Sequence, residues 1–418
     1  MLLIFTATAA GQQPTPLTLA DADALALRNN PRIPAAEFTA QAAAQVPIEQ
    51  RSVYLPNASV NITGVGADNG SRIAAGALNN PIVYDRFATG VTVNQFITDF
   101  GRTKNLIDSS KLHAQAQDQN TEVTKDQVVL QTDRAYFAVL RAIALLSVAQ
   151  ETIKARQLVV DQTNALAQSK LKSSLDVSFA NVNLADAQLQ LASAENEHKA
   201  AEAQLAGALG LPQQTSFTLS DEALPGPLPA GPDAFIRDAL QKRPDLASLR
   251  LELNAAQRFT DAERDLRKPT IAAIGTTGYV PAGETQIPGR YGAAGVNVNI
   301  PVFNGGLFKA RRTEAELKAQ AAEQNVRDLE NRVTQDVRVA FLNAQTANER
   351  MGLTAKLLDQ ARLALDLAQN RYNLGLSSIV ELSQAQLNLT AAQIADTSAR
   401  YDYETQRAIL NYQTGSIR

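Results

Sequence analysis

The sequence predicts a mainly α-helical chain that also carries transmembrane β-strands and is built as a tandem duplication. Three observations lead to this prediction. The segment GVTVNQFITDFGR from Gly90 aligns without a gap with GVNVNIPVFNGGL from Gly295, 205 positions later. In both copies the apolar residues change at the same point from a period of two to a helical period. The helical pattern then continues for roughly 70 residues, or about 100 Å of helix, which is longer than a compact domain can hold.

The duplication covers nearly the whole chain. At the same offset Asp176 aligns with Glu381. Ahead of the strands Pro31 aligns with Pro244 at an offset of 213. The first copy therefore contains eight extra residues ahead of Gly90. An insertion confined to one place marks a tolerant surface loop.

Composition excludes several classes of function. Hydrophobic residues make up 45% of the chain and aromatic residues 5%, without any Trp, which favours helices packed through small side chains. The net charge is −3 with both signs interspersed, so we expect no nucleic-acid partner. The absence of cysteine excludes disulfides and thiolate metal sites. No nucleophile elbow, phosphate loop or metal cluster is present in the sequence, so neither an enzyme nor a cofactor is predicted.

The first ten residues are apolar and end in the A-x-A-like Ala7-Thr8-Ala9. They predict a truncated secretory signal peptide over residues 1–10, with an ordinary chain end as the alternative. No other window holds the 18 or so apolar residues that a membrane helix needs. If the chain crosses a membrane, we expect it to do so with strands.

Two helices are predicted ahead of the strands in each copy. In the first copy a helix follows the Thr18 cap and stops at Pro31, and a second runs from Pro34 to Val53 with Pro47 as a kink or turn. The second copy repeats this order.

Each copy then predicts a β-hairpin. Ala58, Val60 and Ile62 alternate with polar residues before a Gly- and Asn-rich loop, and the chain returns in a second strand. In the second copy we expect a turn around residues 281–289 and a strand over residues 291–301. Glycines end both hairpins and open the long helices, namely Gly101 in the first copy and Gly305 and Gly306 in the second.

The long helical pattern is interrupted once in each copy, near residues 170–174 and 373–377, so each copy forms a helical hairpin. The segment between the copies is proline-rich and cannot be helix or central strand; a short strand is possible at residues 216–219. The predicted segments are repeat 1 N-terminal helices 17–56, membrane hairpin 57–98 and helical hairpin 101–211, a linker 212–232, and the repeat 2 counterparts 233–268, 270–301 and 305–415.

The hairpins have one apolar face and one face rich in Asn and Thr. We expect the apolar face to meet lipid and the polar face to line a lumen; the membrane-facing candidates are Phe87, Val91, Val93, Val296 and Val298, and the candidate interfacial aromatics are Phe87, Tyr279 and Tyr291. Four strands cannot close a barrel, and open edges in lipid are unsatisfied. Eight strands are too narrow for a conduit, whereas twelve leave a channel. The sequence therefore favours a homotrimer.

Two local motifs at matched repeat positions carry a family resemblance. These are YNLGLSSIVEL from Tyr372 and FNGG from Phe303. The chain resembles the TolC-like outer membrane factors. The resemblance implies a homotrimer whose 12-stranded β-barrel lies in the outer membrane of a Gram-negative bacterium and continues as an α-helical barrel in the periplasm. It implies a passive conduit of a tripartite efflux or type I secretion system, gated at the helical tip and partnered by a periplasmic adaptor and an inner membrane pump.

Two acidic residues follow the helical breaks. In a threefold assembly Asp176 and Glu381 would form carboxylate rings that hold cations or filter solutes. The alternative is local capping, because Ser173 and Ser378 stand three residues ahead of them in capping-box spacing. The two interpretations are compatible.

The resemblance also implies tip residues for closure and docking. Tyr372 with Asp176 would form a hydrogen-bonded latch. Ser377 replaces a basic residue of the family's second tip, which argues against a salt-bridged latch, and Lys170 replaces the glycine found at position 375, so we expect a differently shaped first turn. Lys170 and Lys172 could supply the missing positive charge, and the alternative is that both are ordinary solvated surface lysines. The candidate residues for docking the adaptor are Leu374, Gly375, Ser377, Lys170 and Lys172, and the alternative for Gly375 is that it only permits the break between the helices.

The sequence leaves a second class of function open, namely a periplasmic coiled-coil adaptor or scaffold. An enzyme is the least favoured class. His113 and His198 are each isolated on a helix without a second ligand in sequence, and we interpret both as ordinary surface or packing residues.

Overall fold

The computed structural model describes residues 16–68, 70, 84–211, 217–221, 223, 224, 226, 228–283 and 288–417. The signal peptide predicted for residues 1–10 lies outside the described residues. The described chain is mainly helical with one small antiparallel sheet, which confirms the predicted fold class. In chain order the elements are α1 (Leu19–Asn29), α2 (Arg32–Ser52), β1 (Asn57–Val65), β2 (Arg86–Thr98), α3 (Arg102–Gln168), α4 (Ser174–Ala208), α5 (Asp233–Lys242), α6 (Pro244–Arg264), a 3-10 turn (Asp265–Arg267), β3 (Thr270–Gly283), β4 (Arg290–Asn299), α7 (Leu307–Asn373) and α8 (Ile379–Gln413).

The chain divides into two compact units, and each unit draws on both repeats. The sheet unit comprises Glu37–Gln119 and Leu246–Asp328. The tip unit comprises Met1–Ala36, Asn120–Asp245 and Leu329–Arg418. Matching segments of the two repeats therefore pack with each other, and neither repeat is a compact unit by itself.

The sheet has the order β1-β2-β3-β4, and every neighbouring pair is antiparallel. The β2–β3 ladder joins the two repeats. β3 continues to Gly283, beyond the turn predicted to start near residue 281. Pro281 is accommodated because the β2–β3 register shifts there, skipping from Tyr279 to Ala282. Proline has no N–H for the ladder and is tolerated at such an irregularity.

The short helices differ slightly from expectation. α1 begins behind Thr18, whose hydroxyl accepts a hydrogen bond from the Asp21 N–H at 3.2 Å. α2 begins at Arg32 and continues through Pro47 to Ser52 without a break.

The largest core of the tip unit lies between the first helices and the long helices. Tyr136, fully buried, places its hydroxyl 2.9 Å from the Leu17 carbonyl oxygen and 2.6 Å from that of Ser220. Leu219 forms an isolated parallel bridge with Leu17, so the strand predicted in the linker is reduced to one bridge among the described residues. The buried members of this core include Ala22, Ala26, Val128, Tyr136, Val139, Leu205, Leu209 and Tyr401.

The prediction that no later window is apolar enough for a membrane helix was wrong. One 18-residue window of α3 has a mean hydropathy of 1.4 and few charges. In this window 39% of the residues are buried within the chain. Composition alone does not separate such a core helix from a membrane span, and the length of α3, 67 residues, is far more than a span requires.

Candidate functional sites at the helical tips and on the sheet

The first helical tip closes α3 with a left-handed residue. Lys170 has φ +59°. Its N–H donates to the Ala167 carbonyl at 2.9 Å, and the Leu171 N–H donates to the Leu166 carbonyl at 2.9 Å. This pair of hydrogen bonds is the Schellman arrangement that ends many helices.

The second tip repeats this turn. Gly375 has φ +73°, its N–H donates to the Tyr372 carbonyl at 3.0 Å, and the Leu376 N–H donates to the Arg371 carbonyl at 2.8 Å. The expectation of a different shape at the first tip was therefore wrong. Lys170 adopts the conformation of Gly375, although an L-residue with a side chain pays roughly 1–2 kcal/mol there.

Asp176 completes a capping box at the start of α4. Its carboxylate accepts hydrogen bonds from the N–H and the hydroxyl of Ser173, both at 2.9 Å, while the Ser173 hydroxyl accepts from the Asp176 N–H at 3.2 Å. The backbone hydrogen bond from Ser173 is the main cause that lowers the pKa of Asp176. Burial opposes it, and the Ser173 hydroxyl and the charge of Lys172 lower the pKa further. Asp176 is thus held ionised at the helix N-terminus.

Glu381 holds the equivalent position but makes only half of that cap. The Ser378 hydroxyl accepts from the Glu381 N–H at 3.3 Å. The Glu381 carboxylate instead pairs with the Arg371 guanidinium, with 3.1 Å between Nε and Oε1. Sequence reasoning missed Arg371; the available signal was an opposite charge on the other side of the same short turn.

Tyr372 is a packing residue at the tip. It is 4% exposed and belongs to a cluster from α3, α4, α7 and α8 that contains Val159, Val160, Ala180, Tyr372, Ile379 and Leu382. Its hydroxyl has no hydrogen-bond partner among the described residues, and the Lys172 Nζ lies 4.3 Å from its ring centroid. In the single chain Asp176 bonds to Ser173 rather than to Tyr372, so the latch stays a prediction.

The candidate docking residues lie around the two turns. Leu374 is 74% exposed, and Lys170 and Gly375 are exposed as well. Lys172 and Ser377 are half-buried.

Hydrogen bonds between described residues connect the helical hairpins of the two repeats above the tips. Arg156 of α3, only 4% exposed, donates to the Gln386 side chain of α8. Asn183 of α4 donates to the Ser383 hydroxyl of α8 at 2.8 Å. Burial lowers the pKa of Arg156, and the nearby charge of Asp186 opposes this. Nothing in the periodicity distinguishes these residues from solvated ones.

The sheet has two faces of different polarity. Directly opposed residues share a face of an antiparallel ladder, and the register places all five membrane-facing candidates on one side. We call it the apolar face; its apolar side chains are those of Ala58, Val60, Ile62, Phe87, Val91, Val93, Ile271, Tyr279, Val296 and Val298, and it also carries Thr89, Thr277 and Arg290. The polar face carries Asn57, Ser59, Asn61, Thr63, Thr92, Asn94, Thr276, Asn297 and Asn299. Thr92 Oγ1 links this second face, lying 3.4 Å from Asn61 Nδ2 and 3.5 Å from Thr276 Oγ1.

One aromatic residue lies on the opposite face from the expected one. Tyr291 faces Gly278 across the β3–β4 ladder, on the polar face. The register therefore places it away from Phe87 and Tyr279, and it is not an interfacial aromatic of the apolar face.

The strand-to-helix turns use the predicted glycines in left-handed conformations, with φ +118° at Gly101, +61° at Gly305 and +88° at Gly306. In the first repeat Asp99 also caps α3, accepting from the N–H and hydroxyl of Thr103 at 2.7 and 2.6 Å.

The two histidines are not as isolated as expected. His113 Nδ1 lies 2.6 Å from a Glu252 carboxylate oxygen, and His198 Nε2 lies 3.7 Å from one of Glu202. Among the described residues no group of three or more potential ligands is placed to hold a metal ion.

Residues 24–211 and 235–416 match the family described as outer membrane efflux protein. The chain is 24% identical over 403 residues to the outer membrane protein TolC of Salmonella enteritidis, covering 93% of this chain and 80% of that protein. It is 24% identical over 322 residues to the cation efflux system protein CusC of Escherichia coli strain K12, covering 73% and 68%. The structure of the outer membrane protein VceC of Vibrio cholerae shares the fold, with a TM-score of 0.81 and 17% identity over 95% of this chain and 96% of that one. With its duplicated strands and tips, and a match over most of its length, the chain belongs to the outer membrane efflux protein family.

Proposed function

We propose that the chain forms one third of a passive duct through the outer membrane, serving a tripartite efflux or type I secretion system. Members of its family are outer membrane channels that form homotrimers and work with periplasmic adaptors and inner membrane pumps. They are channel proteins and not enzymes. The family match leaves the adaptor or scaffold alternative without support.

The sheet is the single observation that supports this function best. Among the described residues its outer strands, β1 and β4, each pair with one neighbouring strand, which leaves an unpaired edge on each side of the sheet. Unpaired backbone groups cost several kcal/mol each in lipid. Pairing β1 of one copy with β4 of the next satisfies both edges, and three copies give the twelve strands that enclose a channel.

The polarity of the two faces sets the orientation of the sheet. The apolar face, with Phe87, Val91, Val93, Val296 and Val298, faces lipid. The polar face, rich in asparagine and threonine, faces the pore. In this orientation amides and hydroxyls predominate on the pore wall, where they can form hydrogen bonds with water and with passing solutes.

The tip residues form the gate and the docking surface. Asp176 and Glu381 are held near the two turns by their own capping and ion-pair contacts, and Tyr372 packs the four helices together. The turn residues Leu374, Gly375, Ser377, Lys170 and Lys172 then meet the adaptor. A turn of small residues lets a helical hairpin approach closely.

The test uses conductance with single cysteines, because the chain has none of its own. Protein purified from the outer membrane is reconstituted in a planar bilayer, and a water-soluble thiol reagent is added. We expect discrete long-lived steps, and we expect the reagent to reduce the conductance of Asn297→Cys but not of Val296→Cys or the unmodified protein. Residues 296 and 297 lie on opposite faces of the sheet. A loss of conductance in Val296→Cys alone would therefore indicate that the sheet has the opposite orientation. Recovery as soluble protein without conductance steps would contradict the duct.

A further inference from the structure

A tyrosine lies in a slot formed by two glycines on the polar face. Asn61, Gly90, Gly278 and Tyr291 stand opposite each other in one row across the four strands. The Tyr291 side chain extends over both glycines. A Cβ placed at either Gly278 or Gly90 would overlap with the ring or the hydroxyl of Tyr291. The ring therefore lies against the backbone of β3 and β2.

The absence of two side chains decides this position. A tyrosine on a strand ordinarily stands away from the sheet, but here it is 41% exposed, with the rest of its surface covered by its own chain. Glycine within a strand often marks such a close approach of another group, and an aromatic residue covering a strand glycine is a known stabilising pair.

The row lies close to the ends of the strands where each hairpin turns. Tyr291 is the second residue of β4, and Gly278 lies five residues before the end of β3. The helices adjoin the opposite ends of these strands. Three copies of the tyrosine would therefore surround the pore at one level, near the end that is distant from the helices.

We propose that Tyr291, lying flat in the slot formed by Gly278 and Gly90, sets the width of the pore at this level. This rests on the proposed function, in which the polar face lines the pore. With the ring against the wall the pore is open to its full width. A Cβ at position 278 would overlap with the ring and hydroxyl of Tyr291. Because these atoms are the far end of a flexible side chain, the ring can leave the slot by rotation about the Cα–Cβ bond of Tyr291. It then projects into the pore.

Gly278→Ala tests this proposal, with Gly295→Ala as the matched control. Gly295 is also on the polar face, but a Cβ there meets nothing within 4 Å. We expect Gly278→Ala to lose single-channel conductance and Gly295→Ala to keep that of the unmodified protein. Adding Tyr291→Ala to Gly278→Ala should restore the lost conductance, because the displaced ring is then absent.

Unchanged conductance in Gly278→Ala would overturn the proposal, as would a loss that Tyr291→Ala does not restore. If Gly278→Ala fails to assemble, a bulky thiol reagent on Tyr291→Cys provides the second measurement. It should lower the conductance, whereas the same reagent on Tyr279→Cys of the apolar face should not. Unchanged conductance after labelling of Tyr291→Cys would also overturn the proposal. Absence of conductance in the unmodified protein would instead contradict the proposed function.

Discussion

The two helical tips have the same backbone and different side-chain chemistry. Lys170 and Gly375 occupy the same left-handed position, 205 residues apart, and each turn is closed by the same pair of backbone hydrogen bonds. The first tip thus accepts strain that the second avoids. The helix ends therefore determine this turn, and glycine makes it less costly but is not required for it.

The acidic residues after the turns differ more than the turns themselves. Asp176 is short enough to bond back to Ser173 and is occupied by its cap. Glu381 has one more methylene and reaches Arg371 across the turn. Equivalent positions in a duplication therefore need not have equivalent roles.

The largest expected effect concerns Tyr372 of the second tip, whose counterpart in the first repeat is Ala167. Tyr372→Ala should reduce the free energy of unfolding by about 3–5 kcal/mol, because it empties a buried site. Tyr372→Phe should leave it unchanged or raise it by about 1 kcal/mol, because it removes a buried hydroxyl without a described partner. Urea unfolding of the helical signal measures both. A higher open fraction in Tyr372→Phe, measured by conductance, would instead support the hydrogen-bonded latch with Asp176.

Substitutions at the two left-handed positions, 170 and 375, should reveal the backbone strain directly. Gly375→Ala should cost about 1–2 kcal/mol because alanine is disfavoured at positive φ. Lys170→Gly should stabilise the chain by up to about 1 kcal/mol, since relief of strain is partly offset by glycine's greater freedom in the unfolded chain. Gly352→Ala, in the interior of α7 with open space around it, is the control and should stabilise by about 0.5–1 kcal/mol. The temperature at which the trimer dissociates ranks the stability of the three variants. Equal shifts of this temperature in Gly375→Ala and Gly352→Ala would contradict the strain assigned to the left-handed position.

The two caps should differ in their response to acid. Asp176→Ala should cost about 0.5–1 kcal/mol at neutral pH, more than Glu381→Ala, which loses only an exposed ion pair. Because the pKa of Asp176 is lower in the folded chain, its contribution is present above the ordinary aspartate pKa of about 4 and is lost as the pH falls through the folded value. Unfolding midpoints between neutral and acid pH measure this. A parallel pH dependence for Asp176→Ala and the unmodified protein would contradict it.

The smallest expected effect concerns cation block at the second tip. Glu381→Gln should weaken block of the channel by multivalent cations if its carboxylates form a ring. Because Arg371 already pairs with Glu381, with both side chains about half exposed, Arg371→Gln should strengthen the block by more than Glu381→Gln weakens it. An exposed pair contributes about 0.2–1 kcal/mol, so we expect changes of roughly 1.4- to fivefold in the blocking concentration. Identical block in all three proteins would leave the salt bridge with a local role only.

Much of the fold was predictable because its signals are local. The change of period at Gly101 and Gly305 and the alternation in the hairpins mark the strands and long helices, since each depends on nearby residues. The capping role of Asp176 followed from its spacing to Ser173. By contrast, Arg156 and Gln386 are 230 residues apart and have no local signal, so their contact required the packed helices.

The sequence by itself determined the duplication, the two hairpins, the helical hairpins and the polarity of each strand face, because periodicity and glycine placement act within a few residues. The tertiary structure decided the partners. It placed Arg371 beside Glu381, buried the Tyr372 hydroxyl and laid Tyr291 over Gly278 and Gly90. These outcomes depend on which side chains from distant segments share one space, and the competition among their packing, hydrogen bonding and charge is settled only when the chain has folded.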